Sequence, residues 1–462
     1  MEKNDHTVTL KEAKLNSDEL FFSITSHDST ILSGNDVFVR ISGYTKEELI
    51  GHFHNIIRHP DMPRVIFKTL WDYIQAGKPI VAYVKNKTKE GGYYWVLAAV
   101  FPLKERYVSI RIKPDTKVFS AVRELYFKLL IAESKEGMEE SERLMAVLLR
   151  ELGYENYDHF MGDALQSELK GRQKIKSQSC MQAEDFNMAH PLLSQLKSAH
   201  TQCEILLQEY DRWFEKIDFF ADIKSIFEEK GMALRYLARD IVNLSLNTSV
   251  SSYKVENGGE TFGILARDIR INAKENDTLI HQIHQTIEKL SNALKGIVFL
   301  VSAIRLQIEM VTYVIDEVLC KNSEVQMVEM HGNICDLIAL VTEYSDKTKA
   351  LQGELDGEIK EVLAYLDQLE KQMMYLGYVQ VYGVIEAAGS SDESARFGII
   401  FAQLKTLIKE TEQEIETMQK MGKSFDGENR SLMQRSEESV VMLERLSEVM
   451  MMIKAREENH GK

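Results

Sequence analysis

Apolar residues in the second half of the chain recur at alternating spacings of four and three. Eleven such positions lie within residues 283–318 and seven more within 355–376. Spacing of this kind marks an apolar seam on a helix that packs in a coiled coil or helical bundle. No proline follows Pro191, so nothing beyond it is expected to break a helix. The pattern predicts four long helices, with a turn near Gly332; they cover residues 195–252, 260–325, 334–389 and 395–455.

The N-terminal third has a different pattern. Short β-rich runs stand between turn signals such as Ser33-Gly34-Asn35-Asp36; they lie at residues 21–24, 30–32, 80–85, 93–103 and 108–112. Helical stretches lie between them at 36–42, 45–50 and 64–76, the second with Thr45 and Glu48 in capping-box spacing. The predicted fold is therefore an α+β domain, an antiparallel five-stranded sheet with short helices, followed by a long all-α antiparallel coiled coil or four-helix bundle.

Composition narrows the class of partner. The 462 residues are 44% hydrophobic, enough for more than one core, and carry a formal net charge of −15. A surface of this charge is repelled by nucleic acid and by anionic membranes, so neither is expected as a partner. Residues 1–19 form a polar N-terminal segment. The longest apolar run, near residues 297–303, is far shorter than a membrane span. We expect a cytoplasmic protein without membrane insertion.

Catalytic and metal-binding signals are weak. The four cysteines are scattered without a CxxC spacing, and His52, His54 and His59 are not completed by a recognised carboxylate or cysteine ligand pattern. No catalytic triad, phosphate loop or paired-carboxylate motif is evident. The sequence thus predicts neither an enzyme nor a metal site.

Several motifs in residues 20–116 resemble the PAS domain of aerotaxis receptors. They are Asn35-Asp36-x-Phe38, Ser42-Gly43-Tyr44, the run from His54 to Pro63 containing Arg58-His59-Pro60-Asp61, Trp71, Lys85-Asn86 and Tyr94-Trp95-Val96. In that family the pocket binds FAD noncovalently, and the redox state of the flavin is the signal. The resemblance implies FAD as the cofactor, with heme a minor alternative.

The same resemblance supplies candidate flavin-site residues, namely Asn35, Arg58, His59, Asp61, Trp71 and Asn86. Cationic donors suit a pyrophosphate, and an aromatic ring and an amide suit an isoalloxazine. Each candidate also has a purely structural alternative: Asp61 could cap the following helix, Trp71 could be core, and Arg58 could pair with Asp61.

A second resemblance occurs twice in the proline-free region. The segments 237–270 and 384–405 both look like the cytoplasmic hairpin tip of chemoreceptors, the methyl-accepting chemotaxis proteins. The offset between matching positions is constant, since Val250 and Ile385 are as far apart along the chain as Phe262 and Phe397. We call positions separated by this offset repeat-related. An internal repeat of two helices and a turn accounts for it.

The repeat predicts two hairpins in one chain. We expect them to pack as an intramolecular pseudo-dimer, a rod of roughly 80 Å at about 1.5 Å of rise per residue. The alternative is that each hairpin pairs with a second molecule in a homodimer.

The tips depart from the chemoreceptor pattern. Where chemoreceptors carry a Glu and, three residues on, an Arg, the first tip has Ser251 and Lys254 and the second has Glu386 and Gly389. Contact with the chemotaxis histidine kinase and its coupling protein, or with a receptor array, is implied only by the resemblance. The candidate tip residues are Asn247, Ser251, Lys254, Phe262, Glu386, Gly389 and Phe397.

The functional prediction is a cytoplasmic signal transducer that senses redox or energy state through FAD. The alternative is an adaptor or scaffold that uses the PAS domain and the helices only for protein–protein interaction. The predicted segments are a polar N-terminus (1–19), the PAS domain (20–116), a helical connector (117–191) and two hairpins (192–325 and 326–462).

Overall fold

The N-terminal part of the chain is a module made of one β-sheet and several helices, which we call the sheet module. The computed structural model describes residues 11–173, 191–253, 259–321, 324–388 and 395–460. Five strands form one antiparallel sheet in the order β2-β1-β5-β4-β3; they are β1 (Leu20–Ser26), β2 (Ile31–Gly34), β3 (Ile80–Lys87), β4 (Tyr93–Leu103) and β5 (Arg106–Ile112). The predicted fold class is confirmed: a five-stranded antiparallel sheet with short helices precedes long helices.

Short helices connect β2 to β3. They are α1 (Asp36–Ser42), α2 (Lys46–Leu49) and α3 (Arg64–Gln75), with a 3-10 turn at His54–Ile57. Helix α1 ends at Gly43, whose φ of 74° is a left-handed conformation that glycine adopts without steric cost. Helix α2 begins with the predicted capping box, in which Thr45 and Glu48 each bond the other's backbone N–H.

Three helices follow β5, and the first and third of them contact the other face of the sheet. The three are α4 (Lys117–Glu136), α5 (Met138–Glu151) and α6 (Tyr157–Arg172). Helix α5 packs on α4, where the Ser141 hydroxyl donates to the Leu129 carbonyl at 3.3 Å. The buried Tyr83 hydroxyl donates to Glu168 of α6 at 2.9 Å, and Tyr126 of α4 donates to the Tyr83 carbonyl at 2.9 Å. Trp95 of β4 packs its ring on Phe119 of α4, 5.4 Å between centroids. Residues after β5 therefore fold back onto the sheet.

Long helices make up the rest of the described chain. They are α7 (Pro191–Glu215), α8 (Ile217–Ser252), α9 (Gly259–Lys321), α10 (Glu324–Ala388) and α11 (Ala395–His460). The predicted turn near Gly332 is wrong, because Gly332 lies inside α10. A Cβ at Gly332 would meet nothing within 4 Å, and a helix tolerates such a glycine at a cost of about 1 kcal/mol.

The chain divides into two compact units. Unit 1 comprises residues 1–214, 298–348 and 435–462, and unit 2 comprises residues 215–297 and 349–434. Unit 1 therefore holds the sheet module together with parts of the long helices, whereas unit 2 is built from α8 to α11 alone.

Within unit 1, the sheet module packs against α9 and α10. Glu317 of α9 accepts hydrogen bonds from Asn35 Nδ2 at 3.2 Å and from the backbone N–H of Asp36 at 3.1 Å. Asn333 of α10 donates to Ser33 at 2.7 Å. The Phe101 ring lies edge-on to Tyr344 at 5.3 Å. Burial raises the pKa of Glu317, and its bond from Asn35 offsets part of that effect.

Within unit 2, many repeat-related positions are buried alike. In several repeat-related pairs both residues are buried. They include Phe227 and Val362, Leu234 and Leu369, Ile241 and Leu376, Ile269 and Leu404, Ile280 and Ile415, and Leu290 and Phe425. The repeat-related rings of Phe262 and Phe397 stack with centroids 3.9 Å apart and planes 6° apart. Repeat-related residues thus meet within one chain.

Helix α9 has the most apolar stretch of the described residues. It is the one helix there long and apolar enough to cross a membrane, with a mean hydropathy of 1.7 over its best window. Core helices pass the same test, and 78% of this window is buried inside the structure. Length and composition are therefore weak evidence of a span here.

Two glycines of α10 give a matched test of packing in unit 2. A Cβ at Gly383 would overlap the ring of the fully buried Phe401, whereas a Cβ at Gly377 would meet nothing within 4 Å. We expect Gly383→Ala to lower the free energy of unfolding by about 1–3 kcal/mol through overpacking. Gly377→Ala should raise it by about 0.5–1 kcal/mol. Urea unfolding followed by circular dichroism measures both, and equal effects would contradict the described α10–α11 contact.

Candidate functional site

A cavity lies between the sheet and the helices that connect β2 to β3. Its volume is about 250 Å³. Strands β1, β3, β4 and β5 supply the side chains that alternate toward this face. The other lining residues are Ser29 between β1 and β2, residues of the 3-10 turn with the following Arg58, and residues of α3. Among the described residues the lining includes two arginines, Arg58 and Arg111, and no carboxylate. The cavity is therefore electropositive within a chain of net charge −15.

Arg111 is the buried cation of the cavity. It projects from β5, is 5% exposed, and donates from Nη1 to the Ser23 hydroxyl at 2.9 Å. Nη2 donates to His54 Nε2 at 2.8 Å. Its guanidinium lies 5.5 Å from the Phe21 ring centroid. Burial lowers the pKa of Arg111 to about 10, so it stays charged at neutral pH.

His54 is neutral in this setting. A guanidinium can only donate, so Nε2 of His54 must accept and the ring proton lies on Nδ1. Burial, and then the charge of Arg111, lower the pKa of His54 to about 3. The ring stacks on Phe38 of α1 with centroids 6.1 Å apart and planes 6° apart.

Arg58 supplies the second cation, nearer to solvent. It follows the 3-10 turn, is half-buried, and lies 3.9 Å from the centroid of the Phe67 ring of α3. Burial lowers the pKa of Arg58, while the charge of Glu133 raises it. Trp71 of α3 lines the same cavity, edge-on to Tyr107 at 6.0 Å.

Two buried polar groups in the lining are left without a hydrogen-bond partner among the described residues. They are Asn86 Nδ2 on β3 and Ser109 Oγ on β5, and both residues are less than 9% exposed. Buried polar groups are satisfied in the great majority of native sites, so such a pair points to a ligand or water in the cavity. The neighbouring Tyr94 hydroxyl lies close to Asn86 without a bond of ordinary geometry.

Three of the six predicted flavin-site residues line the cavity, namely Arg58, Trp71 and Asn86. His59 and Asp61 lie beside it. His59 is fully buried, and its Nδ1 accepts from the backbone N–H of Asp61 at 3.1 Å. Asp61 pairs with Lys85 at 2.7 Å. Burial would raise the pKa of Asp61, but the bond and charge of Lys85 hold it below its usual value.

Asn35 lies at the contact between the sheet module and α9. Its Oδ1 accepts from the Phe22 backbone at 3.3 Å, and its Nδ2 donates to the Leu20 carbonyl and to Glu317, each at 3.2 Å. It is not part of the cavity lining.

The structural alternatives for Asp61 and Arg58 are not observed. Helix α3 begins after Pro63 without a side-chain cap, and Asp61 pairs with Lys85 rather than with Arg58. Trp71 is only half-buried.

The predicted tip residues lie in unit 2. Phe262 and Phe397 form the ring stack described above, while Asn247 lies on a shallow groove beside Gln403. Ser251 and Glu386 are half-buried near the ends of α8 and α10. Lys254 and Gly389 lie outside the described residues.

Reasoning from the sequence missed Arg111, Ser23, Ser109 and Phe67 as lining residues. It placed His54 in a family motif and weighed it as a metal ligand, but did not predict it in the cavity lining. The available signal was the alternation Val108-Ser109-Ile110-Arg111-Ile112, which places Ser109 and Arg111 on one face of β5. An arginine on a polar face reads as solvent-exposed, since alternation does not show what covers that face.

Comparisons with known proteins agree with the N-terminal module. Residues 31–111 match the family model of the PAS fold. The chain is 40% identical over 124 residues to the aerotaxis receptor of Escherichia coli (strain K12). That match covers 26% of this chain and spans about a quarter of the receptor's length, 24%.

Two solved light-oxygen-voltage domains each resemble about a quarter of the chain. One was studied with a flavin analogue (16% identity, TM-score 0.22), and covers 24% of this chain and 88% of its own. The other is the light state of the Aureochrome1 photoreceptor (24% identity, TM-score 0.20), with coverages of 24% and 89%. Both scores are too low to support a conclusion about this chain.

The pKa of His54 gives a testable pH dependence. The unfolded histidine takes up a proton near pH 6.5, whereas the folded one does so only near pH 3. Stability is therefore fully present above about pH 6.5 and is lost as the pH falls, by up to about 1.4 kcal/mol per pH unit. Urea unfolding at pH 7 and pH 5 measures the free energy of unfolding at each pH. Its decrease from pH 7 to pH 5 should be smaller for His54→Gln than for the unchanged protein.

A matched control for that measurement is His52→Gln, since His52 is exposed on the same segment. It should keep the pH dependence of the unchanged protein. If His54→Gln kept the same pH dependence, the lowered pKa of His54 would be refuted.

Proposed function

We propose that this chain is a sensory signal transducer whose PAS cavity binds a flavin, FAD, and reports redox or energy state. The observation that carries the proposal is the cavity itself, with two arginines, unsatisfied amide and hydroxyl groups and no carboxylate among the described lining residues. The similarity to an aerotaxis receptor supports it. When bound, a flavin supplies a reversible change of redox state that alters its charge and hydrogen bonding.

The residues present suit such a group. The Trp71 and Phe67 side chains offer apolar packing surface for a planar ring. Asn86 and Ser109 offer hydrogen bonds to polar ring edges. A cavity of about 250 Å³ falls below the range of about 300–1,000 Å³ that holds whole drug-sized ligands, so the phosphates would extend past the half-exposed Arg58.

A route from the cavity to the helices accompanies this proposal. His54 contacts both Arg111 and Phe38, and Phe38 belongs to α1. The N-terminal end of α1 is held by Glu317 of α9 through Asn35 and Asp36. A ligand whose redox states interact differently with Arg111 and His54 would bias the position of α1, and hence this contact. Asn35 thus takes part in transmission in this proposal.

The proposed output is contact with a chemotaxis histidine kinase and its coupling protein. Helix α10 carries an exposed apolar stripe of Met374, Tyr375, Tyr378, Val381, Tyr382 and Ile385. The repeat-related positions on α8 are mostly polar; they are Arg239, Asp240, Asn243, Leu246, Asn247 and Val250. One repeat has therefore acquired an aromatic surface that the other lacks, and such exposed patches mark protein-interaction sites.

The competing proposal is an adaptor or scaffold without a redox signal. The contacts of the sheet module with α9 and α10 favour it, because a module fixed on these helices could act as a structural support alone.

Purification tests the flavin proposal. We expect a yellow protein with the visible absorbance of an oxidised flavin, whereas a heme would give an intense Soret band. Arg58→Gln should weaken FAD binding about ten- to hundredfold, the loss of one charge-assisted interaction. Arg143→Gln is the matched control, since Arg143 is exposed on α5 and pairs with Glu140 outside the cavity. Colourless protein that cannot be reconstituted with FAD would favour the adaptor.

Co-sedimentation with purified chemotaxis kinase and coupling protein tests the output. The double variant Tyr378→Asn, Tyr382→Asn restores the residues of the other repeat. It should weaken the interaction at least about tenfold if these tyrosines anchor the interface. Tyr236→Asn is the control, because Tyr236 is 59% exposed on α8 outside the stripe. If the unchanged protein binds neither the kinase nor the coupling protein, the proposed output is refuted.

A further inference from the structure

Arg111 is a buried charge whose described partners are all neutral. They are the Ser23 hydroxyl at 2.9 Å, the Ser109 carbonyl at 3.5 Å and the neutral ring of His54 at 2.8 Å. The rings of Phe21 and Phe38, at 5.5 and 5.9 Å, add a modest cation–π attraction. Buried charges are otherwise found paired or metal-bound, so this guanidinium lacks an anionic partner among the described residues.

Other charged groups do not fill that role. Arg58 has the same sign as Arg111, and Asp61 pairs with Lys85 outside the lining. Glu317 accepts hydrogen bonds from Asn35 and Asp36 at the N-terminal end of α1 and is not part of the cavity lining. A negatively charged group on a bound ligand would complete the site.

We propose that Arg111 makes the cavity bind the anionic reduced form of a flavin more tightly than the oxidised form. The proposal rests on the proposed function and extends it to a specific residue. Reduction of a flavin would take two electrons from an external low-potential reductant, and one proton from water would be added to the flavin nitrogen N5. The product carries a negative charge over N1 and the C2 carbonyl, and a nearby guanidinium stabilises that charge.

The preference for one redox state fixes a midpoint potential. Binding and reduction are thermodynamically linked. If the protein binds the reduced flavin tenfold more tightly than the oxidised flavin, the two-electron midpoint potential of the bound flavin lies about 30 mV above that of free flavin. Arg58, which is half-exposed, is expected to act mainly on affinity for both redox states.

The test is reductive titration of FAD-loaded, full-length protein with dithionite beside a reference dye. We expect the bound flavin to have a potential at least about 30 mV above that of free FAD, a tenfold preference for the reduced form. Arg111→Gln, which keeps a donor toward Ser23 and His54, should remove most of that difference. Arg111→Lys, which keeps the charge, should retain most of it. Circular dichroism reports whether each variant folds.

Each outcome separates the two proposals. If the unchanged protein binds no flavin, both fail. If it binds flavin at or below the free potential, the Arg111 inference alone is overturned, even where the glutamine variant does not fold. An unchanged potential in a folded Arg111→Gln variant overturns it as well.

Discussion

Successive side chains of a β-strand point to opposite faces, and this constraint organises the N-terminal module. On β3, Val84 and Asn86 line the cavity while Tyr83 bonds the helices on the other face. On β4, Ala98 and Val100 face the cavity while Phe101 packs on Tyr344 of α10. A change in the cavity therefore acts on strands that also contact helices, without any intervening linker.

The contact between Asn35 and Glu317 gives that arrangement a second connection. Asn35 bonds β1 through the backbone of Leu20 and Phe22, and α9 through Glu317. Burial raises the pKa of Glu317, and the hydrogen bond from Asn35 acts in the opposite direction by favouring the charged carboxylate. An asparagine suits this position since its amide donates and its carbonyl accepts at once. One side chain thus joins the sheet, the start of α1 and a long helix.

The sequence was most informative where a pattern had a single physical cause. Heptad spacing predicted long helices because only a helix places such residues on one side, and Thr45 with Glu48 predicted a cap that forms as expected. The turn predicted at Gly332 was wrong because a single glycine lowers the stability of a long helix only slightly. Arg111 was missed because alternation assigns it to a face but not to a cavity. Motif resemblance found Arg58, Trp71 and Asn86 in the lining, yet could not show that Asn35 lies against another helix.

Carrying both repeats in one chain removes a restriction that symmetry imposes on a homodimer. In an isologous contact each surface must suit its own copy, so a change on one side appears on both. Here Phe262 meets Phe397 across the repeat, and the two residues remain identical where they stack. Away from that stack the repeats differ, as at Asn243 and Tyr378. Core positions such as Leu234 and Leu369 stay apolar because both are buried, whereas exposed positions are free to diverge. Repeat-related core positions therefore stay apolar where packing requires it, while the exposed positions of the two repeats differ.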